Sequence, residues 1–308
     1  MNAIEVTRLS YRYRGVAALR DVDLVVPEGA LYALLGPNGS GKTTLLQILM
    51  GLRRPDAGRV SIMGIDATAL RVHDRARLSY IAEGQSLPGW MRLREVEAYL
   101  APLYDRWDAT LATHLRERFE LDPARKIRTF SRGEQMKAAL LCALAPRPQL
   151  LVMDEPFTGM DALVKDELVL GLLDSAGSEG WTVLLCSHDI GELELLADWV
   201  GFLDQGTLRL SEPMDALRER FKHVTVTTSL GQPLPDASGA LPSDWMSVER
   251  AGQRLTFVAS HATDEPIAQA VARHLGAVAH VEVRDATLRE LFVALARRRM
   301  PVRGEVAA

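Results

Sequence analysis

The chain has 308 residues, of which 47% are hydrophobic, and it carries a formal net charge of −4. This length accommodates one large domain and one small domain, and the slight excess of acids predicts no general affinity for nucleic acid. No segment has the roughly 18 to 20 consecutive apolar residues of a membrane-spanning helix, and the amino terminus does not look like a secretion signal, so we expect a cytoplasmic protein.

A glycine-rich loop follows an early apolar run. Residues 36–44 read GPNGSGKTT, come directly after the apolar residues 31–35, and lead into the helix-like stretch 45–50. This setting matches the phosphate-binding template G-x-x-x-x-G-K-[ST], in which backbone N–H groups and the positive end of a helix converge on one anion. The predicted nucleotide-binding residues of the loop are Gly36, Pro37, Asn38, Gly39, Ser40, Gly41, Lys42, Thr43 and Thr44.

Three side chains of this loop have separate predicted tasks. Lys42 neutralises the β- and γ-phosphates and is a catalytic candidate, Thr43 offers its hydroxyl to Mg²⁺, and Thr44 donates to the α-phosphate. The sequence therefore predicts ATP and Mg²⁺ as its ligands. A glycine-rich turn without a ligand is the alternative.

A short polar segment opens a predicted helix in the middle of the chain. Residues 131–134 read Ser-Arg-Gly-Glu and precede the helix-like stretch 135–141. They fit a capping box, with Ser131 at the cap and Glu134 three residues later. Because the exposed N–H groups of a helix start also attract anions, the same residues suit both capping and phosphate binding.

An apolar run ends in two acids shortly afterwards. Residues 150–153 are apolar and are followed by Asp154 and Glu155, as expected of a buried parallel strand that delivers carboxylates to the edge of its sheet. We predict that Asp154 holds the metal and that Glu155 is the catalytic base that polarises the attacking water. A polar strand terminus without a function is the alternative.

Two polar segments follow the acid pair. The first contains Asp161, and the second contains His188 directly after the apolar run 181–186. A lone histidine after a strand is more often structural than functional. A functional role for His188 therefore depends on whether other site residues lie next to it.

The composition changes after residue 221. Strand patterns at residues 223–227, 254–258 and 279–283 alternate with helix patterns at 266–275 and 287–298, while 231–243 and 301–308 look like a loop and a frayed tail. These elements predict a small α+β domain. The two cysteines, Cys142 and Cys186, lie in apolar runs upstream, where buried reduced thiols are expected.

In order and spacing, these elements resemble the nucleotide-binding subunit of an ABC transporter over roughly residues 3 to 220. The resemblance implies an α/β fold of the P-loop ABC ATPase type, with a mixed sheet core, an antiparallel β edge and a helical lobe at about residues 84–148. The ATPase domain then covers residues 1–222, and a small α+β accessory domain covers residues 223–308.

The resemblance also implies a dimer closed by ATP. Ser131 and Gly133 of one subunit would cap the γ-phosphate held by Lys42 of the other, His188 would contact this phosphate as a catalytic residue, and Asp161 would communicate across the interface. The second subunit is either another copy of this chain or a different ATPase subunit.

Tyr13 takes the family position of the aromatic residue that stacks on adenine, with Tyr11 as the competitor.

Two features depart from the family pattern. The signature segment contains Arg132 and Glu134 where a glycine and a glutamine are usual. Glu83 occupies the position of a metal-sensing glutamine and is kept as a third candidate metal ligand.

The function implied is ATP hydrolysis that powers a separate transmembrane permease subunit, with the chain held at the inner face of the cell membrane. Export is expected, because the C-terminal extension and the segments 87–91 and 104–108 resemble bacterial exporters of drugs, antibiotics or lipids. Trp90 is predicted either to contact the permease or to pack inside its own lobe. Two alternatives stay open: a weakly hydrolysing regulatory subunit, and a soluble ABC ATPase that acts on ribosomes or DNA.

Overall fold

The chain divides into two compact units. The computed structural model describes residues 1–161, 164–171, 180–188, 190–194, 196–228, 241–260, 267–275 and 280–297. The first unit consists of Met1–Asp189 and Leu196–Ser211, and the second consists of Ile190–Leu195 and Glu212–Ala308. The domain boundary predicted at residue 222 stays a prediction.

The described residues contain strands and helices with the following bounds. The strands are β1 (Asn2–Tyr13), β2 (Val16–Pro27), β3 (Leu31–Leu35), β4 (Ala57–Ile62), β5 (Ile65–Asp66), β6 (Leu78–Ile81), β7 (Leu150–Asp154), β8 (Thr182–Ser187), β9 (Trp199–Asp204), β10 (Thr207–Pro213), β11 (Phe221–Thr227), β12 (Trp245–Ala251), β13 (Arg254–Ser260) and β14 (His280–Asp285). The helices are α1 (Lys42–Leu49), α2 (Val72–Arg75), α3 (Leu93–Leu100), α4 (Ala109–Arg118), α5 (Arg132–Leu144), α6 (164–171), α7 (Ile190–Leu193), α8 (Met214–Arg220), α9 (Ile267–Leu275) and α10 (Leu288–Arg297).

The first unit is built on two sheets. Six strands lie in the order β10-β9-β3-β8-β7-β6, and β3, β7 and β8 pair in parallel and are buried along their whole length. A second, antiparallel sheet has the order β2-β1-β4-β5. The predicted α/β fold with a mixed sheet core and an antiparallel edge is confirmed. Because β3, β7 and β8 run in the same direction, the loops at their carboxyl ends meet at one edge.

The segment between β6 and β7 is helical, as expected. α3 and α4 lie within the helical lobe expected at about residues 84–148, and α5 follows the predicted capping box. Leu93 and Leu115 are buried in this lobe, whereas Trp90 is 74% exposed. The structure therefore contradicts the alternative in which Trp90 packs inside its own lobe.

The second unit contains an antiparallel sheet with the order β12-β13-β11-β14. Its apolar core includes Val224, Trp245, Phe257 and Val271, and the rings of Trp245 and Phe257 stack with their centroids 4.0 Å apart. The predicted α+β character is confirmed, although β12 was not predicted. Most of the predicted loop 231–243 and all of the tail 301–308 lie outside the described residues.

Two further expectations concern the whole chain. Cys142 and Cys186 are both buried and free, and burial raises the pKa of the Cys142 thiol to about 12. Among the residues that the structure describes, no helix is both long and apolar enough to cross a bilayer.

Candidate functional site

The phosphate loop joins the end of β3 to the start of α1. Gly39 and Gly41 have φ angles of +79° and +109°, which glycine adopts without a Cβ penalty. A Cβ on Gly36 would clash with the carbonyl oxygen of Leu203, and one on Gly41 would stand 2.6 Å from that of Ala18. Because the first-turn N–H groups of α1 have no intrahelical acceptor, the loop is suited to an anion.

Lys42 is a buried cation held by its own loop. Only 6% of its side chain is exposed, and its Nζ lies 3.4 Å from Oε1 of Glu155. The same Nζ donates to the carbonyl oxygen of Gly36 at 2.7 Å and to that of Pro37 at 3.4 Å. The predicted phosphate-binding cation and the predicted base are thus direct neighbours, as the parallel strands require.

Glu155 links the acid-ended strand to His188. Its Oε2 lies 2.7 Å from Nδ1 of His188, accepts from the His188 backbone N–H at 3.2 Å, and accepts from the Thr158 hydroxyl at 3.3 Å. The Glu155 backbone has φ +50°, a conformation that is uncommon outside glycine and concentrates at functional sites. A buried carboxylate positioned by a histidine suits general-base chemistry.

Asp154 is buried next to the phosphate loop. It is 1% exposed, and neither of its carboxylate oxygens has a hydrogen-bond partner of ordinary geometry among the described residues. Burial raises the pKa of Asp154, the adjacent Thr43 hydroxyl opposes this rise, and the Glu83 carboxylate adds to it. Oxygen atoms of this kind fit a hard cation such as Mg²⁺.

The described carboxylates supply only part of a metal site. Among the described residues, no cluster of three or more His, Cys, Asp or Glu side chains is arranged to hold a metal. Mg²⁺ is usually held by one or two carboxylates together with substrate phosphates and water, so one carboxylate beside a phosphate loop is compatible with it.

Tyr13 lines the same cleft as the phosphate loop. It is 38% exposed, and its hydroxyl accepts from the Thr44 hydroxyl at 3.5 Å. Tyr11 meets it edge-on at 4.9 Å, packs against the core, and does not line the cleft. The Arg53 guanidinium lies 4.8 Å from the centroid of the Tyr13 ring. Sequence reasoning missed Arg53, because nothing local to either residue signals this contact.

One cleft of about 550 Å³ gathers most of the predicted site residues. Its lining consists of Tyr13, Ala18, Asn38, Gly39, Ser40, Gly41, Lys42, Thr43, Thr44, Glu83, Glu155, Thr158 and His188. Sequence reasoning assigned no binding role to Ala18 or Thr158. The hydroxyl of Thr158 could have been anticipated from its place just after the acid pair.

Ser131, Gly133 and Asp161 do not line this cleft. Ser131 caps α5 in the predicted capping box, which the structure confirms. Asp161 accepts from the Val164 backbone N–H at 3.0 Å at the start of α6. In a single copy of the chain, these three predicted nucleotide-binding residues therefore lie outside the cleft. Gly36, Pro37 and Asp154 do not line it either, but Gly36 and Pro37 accept hydrogen bonds from Lys42, and Asp154 directly precedes Glu155.

The geometry of the cleft agrees with the proteins to which this chain is similar in sequence. The family model described as "ABC transporter" matches residues 19–158. The Fe(3+) ions import ATP-binding protein of Streptomyces coelicolor is 34% identical over 250 residues, which cover 75% of this chain and 71% of that protein. A daunorubicin resistance ATP-binding protein of Streptomyces coeruleorubidus is 34% identical over 221 residues, covering 70% of each.

A further relative and a solved structure are also ABC transporter ATP-binding proteins by name. The ABC transporter ATP-binding protein YtrB of Bacillus subtilis is 28% identical over 220 residues, covering 71% of this chain and 74% of that protein. A solved ATP-binding subunit of an ABC transporter superposes with a TM-score of 0.64 at 29% identity, covering 70% of this chain and 92% of that structure.

Proposed function

The chain belongs to the family of ABC transporter ATP-binding proteins and is an ATPase, and on this premise we propose that it is the motor for a separate membrane-spanning subunit. The observation that carries the proposal is the cleft in which the phosphate loop, Glu155 and His188 meet. A cleft with a phosphate cradle, a cation and a buried base has what phosphoryl transfer to water needs.

Hydrolysis in this cleft assigns one task to each group. The loop N–H groups and Lys42 bind the phosphates. Glu155 accepts a proton from a water molecule while the water oxygen forms a bond to the γ-phosphorus, and the bond between this phosphorus and the leaving oxygen of ADP breaks. His188 holds the Glu155 carboxylate and faces the γ-phosphate. Thr43, Asp154 and Glu83 would hold Mg²⁺, which neutralises phosphate charge when bound.

The proposal includes a dimer. Ser131 and Gly133 stand outside the cleft of their own chain, at the start of a helix whose N–H groups suit an anion. We propose that they cap the γ-phosphate in the cleft of a second ATPase subunit and that Asp161 senses this closure. ATP that binds only the closed pair stabilises it by mass action.

The helical lobe offers a surface to the membrane-spanning partner. Trp90, Tyr99 and Leu103 are 74%, 64% and 59% exposed, and exposed aromatic side chains are typical of contact sites. This contact would hold the chain at the inner face of the membrane.

We propose export as the direction of transport. The relative named for daunorubicin resistance supports it, while relatives named as importers are equally similar, so identity does not choose between the directions. Transport assays with the cognate membrane subunit in vesicles of known orientation test this step.

Steady-state ATPase activity of Glu155→Gln against wild type tests the central proposal. We expect turnover to fall at least about a hundredfold through loss of the base, while ATP with Mg²⁺ traps the variant as a dimer in light scattering. Glu117→Gln removes an exposed acid on α4 and serves as the control. A variant that turns over at the wild-type rate would exclude Glu155 as the base.

A further inference from the structure

The start of α5 is organised by a carboxylate. Oε2 of Glu134 accepts from the Ser131 backbone N–H at 2.6 Å, and Oγ of Ser131 accepts from the Glu134 backbone N–H at 3.1 Å. This reciprocal box uses two of the four unpaired N–H groups of the helix start. The Ser131 hydroxyl proton and the N–H groups of Arg132 and Gly133 are left to donate.

A carboxylate at this place opposes phosphate binding. A phosphate that accepts from the Ser131 hydroxyl lies within a few ångströms of the Glu134 side chain, and two anions at such a distance repel each other. The family's usual glutamine carries no charge at this position. The substitution in this chain therefore needs compensation if the helix start is to bind phosphate.

Arg125 supplies a matching positive charge. Its Nη1 donates to Oε1 of Glu134 at 2.6 Å, and its Nη2 lies 3.4 Å from Oε2. The guanidinium is fixed by a further bond from Nη2 to the carbonyl oxygen of Thr129 at 2.7 Å, and it lies 4.9 Å from the centroid of the Phe130 ring. Charge-assisted, two-pronged pairs of this kind hold a defined geometry.

We propose that Arg125 is a positioning residue that cancels the charge of Glu134, so that the start of α5 can accept the γ-phosphate bound by a second subunit. This inference rests on the proposed dimer. Burial alone would raise the pKa of Glu134, but the hydrogen bonds from Arg125 and from Ser131 lower it. The acid is therefore ionised at neutral pH, and Arg125 is the positive charge that offsets it.

The test is a double-mutant cycle read by ATPase activity. Arg125→Ala leaves Glu134 uncompensated, and we expect kcat to fall about tenfold with the KM for ATP little changed, because Arg125 does not line the nucleotide cleft. Arg125→Ala combined with Glu134→Gln has no charge at either position. We expect this double variant to return to within about twofold of wild type.

Two further variants separate charge from folding. Arg125→Lys keeps the charge and should keep most of the activity. Arg116→Ala breaks a 2.7 Å pair with Glu97 elsewhere in the helical lobe and should leave kcat near the wild-type value.

The outcomes are distinct. If Arg125→Ala lowers kcat by the same factor in the wild-type background and in the Glu134→Gln background, Arg125 has a structural role and this inference alone is overturned. Full activity of Arg125→Ala would also overturn it. If the wild-type protein neither hydrolyses ATP nor dimerises when ATP is added, the proposed function is overturned together with this inference.

Discussion

Tyr13 shows how single side chains complete the nucleotide site. Its ring is supported edge-on by Tyr11 and is approached by Arg53, while its hydroxyl meets Thr44 of the phosphate loop. A ring held on several sides loses little freedom when a base stacks on it. Its place in the lining of the cleft therefore suits adenine.

We predict that Tyr13→Ala raises the KM for ATP about tenfold, because one base–aromatic stack contributes roughly 1 to 3 kcal/mol. Tyr13→Phe keeps the ring and loses only the 3.5 Å contact with Thr44, so its KM should stay close to wild type. ATP titrations of the ATPase rate measure both variants. Equal KM values for Tyr13→Ala and wild type would show that adenine does not stack here.

At this scale, the sequence predicted residues that follow a local template. The phosphate loop, Asp154 and Glu155 could be placed because their spacing and their apolar flanks are local features. Their partners could not. The contact of Arg53 with Tyr13 and that of His188 with Glu155 depend on how segments that are distant in the chain fold together, and no local pattern encodes such pairs.

Among the elements, β3 and β9 are fitted around one buried tyrosine. Tyr32 on β3 is fully buried, and its hydroxyl is 2.8 Å from Oγ of Ser211. A Cβ on Gly201 of β9 would stand 2.9 Å from Cε1 of Tyr32 and closer still to its hydroxyl. Glycine is thus required on β9 by the ring on β3.

Gly201→Ala is expected to destabilise the protein by about 1 to 3 kcal/mol, the usual cost of overpacking a core. Tyr32→Phe removes the crowded hydroxyl, so the double variant should be more stable than the sum of the two single effects predicts. Urea unfolding of all four proteins measures the coupling. Strict additivity would mean that the strand relaxes without touching Tyr32.

Most elements were predictable, and the missed strand has a physical reason. β3, β7 and β8 are uninterrupted apolar runs, which indicate buried parallel strands. In β12, Trp245 and Met246 are consecutive buried residues, Ser247 has φ +48°, and the pairing with β13 shifts register between Met246 and Glu249. This irregularity removes the alternation by which a strand is recognised.

For the molecule as a whole, acid is expected to weaken the second unit through Glu290. Burial alone would raise the pKa of this carboxyl, but hydrogen bonds from Arg284 and from the backbone N–H of Thr287 lower it to about 2. A lowered pKa stabilises the fold fully above the ordinary value near 4.5, and this contribution disappears as the pH falls towards 2.

Glu290→Gln should therefore cost about 1 to 2 kcal/mol at pH 7, after allowance for solvent screening. The gap between variant and wild type should close as the pH falls from about 5 to 2. Urea unfolding followed by tryptophan fluorescence measures it, with Trp245 contributing from the second unit and the other four tryptophans from the first unit. A gap that is the same at every pH would trace the effect to packing and not to charge.

At this largest scale, the sequence predicted a large α/β portion followed by a small α+β portion. It did not predict that α7 (Ile190–Leu193) belongs to the second unit. Residues 190–195 contact this unit through pairs such as the 3.1 Å hydrogen bond from the Leu288 backbone N–H to Oε1 of Glu194. Partners that are so far apart in the chain leave no trace in local composition.

The interrupted path of the chain also limits how this protein can be recombined with its relatives. A chimaera joined once near residue 211 would exchange most of the second unit but keep Ile190–Leu195 from the original parent. Glu194 would then lie beside the α10 helix of the other parent and would lose its own partner, the backbone N–H of Leu288. Grafts that carry residues 190–195 together with the C-terminal segment preserve this contact, so the exchangeable module is discontinuous in sequence.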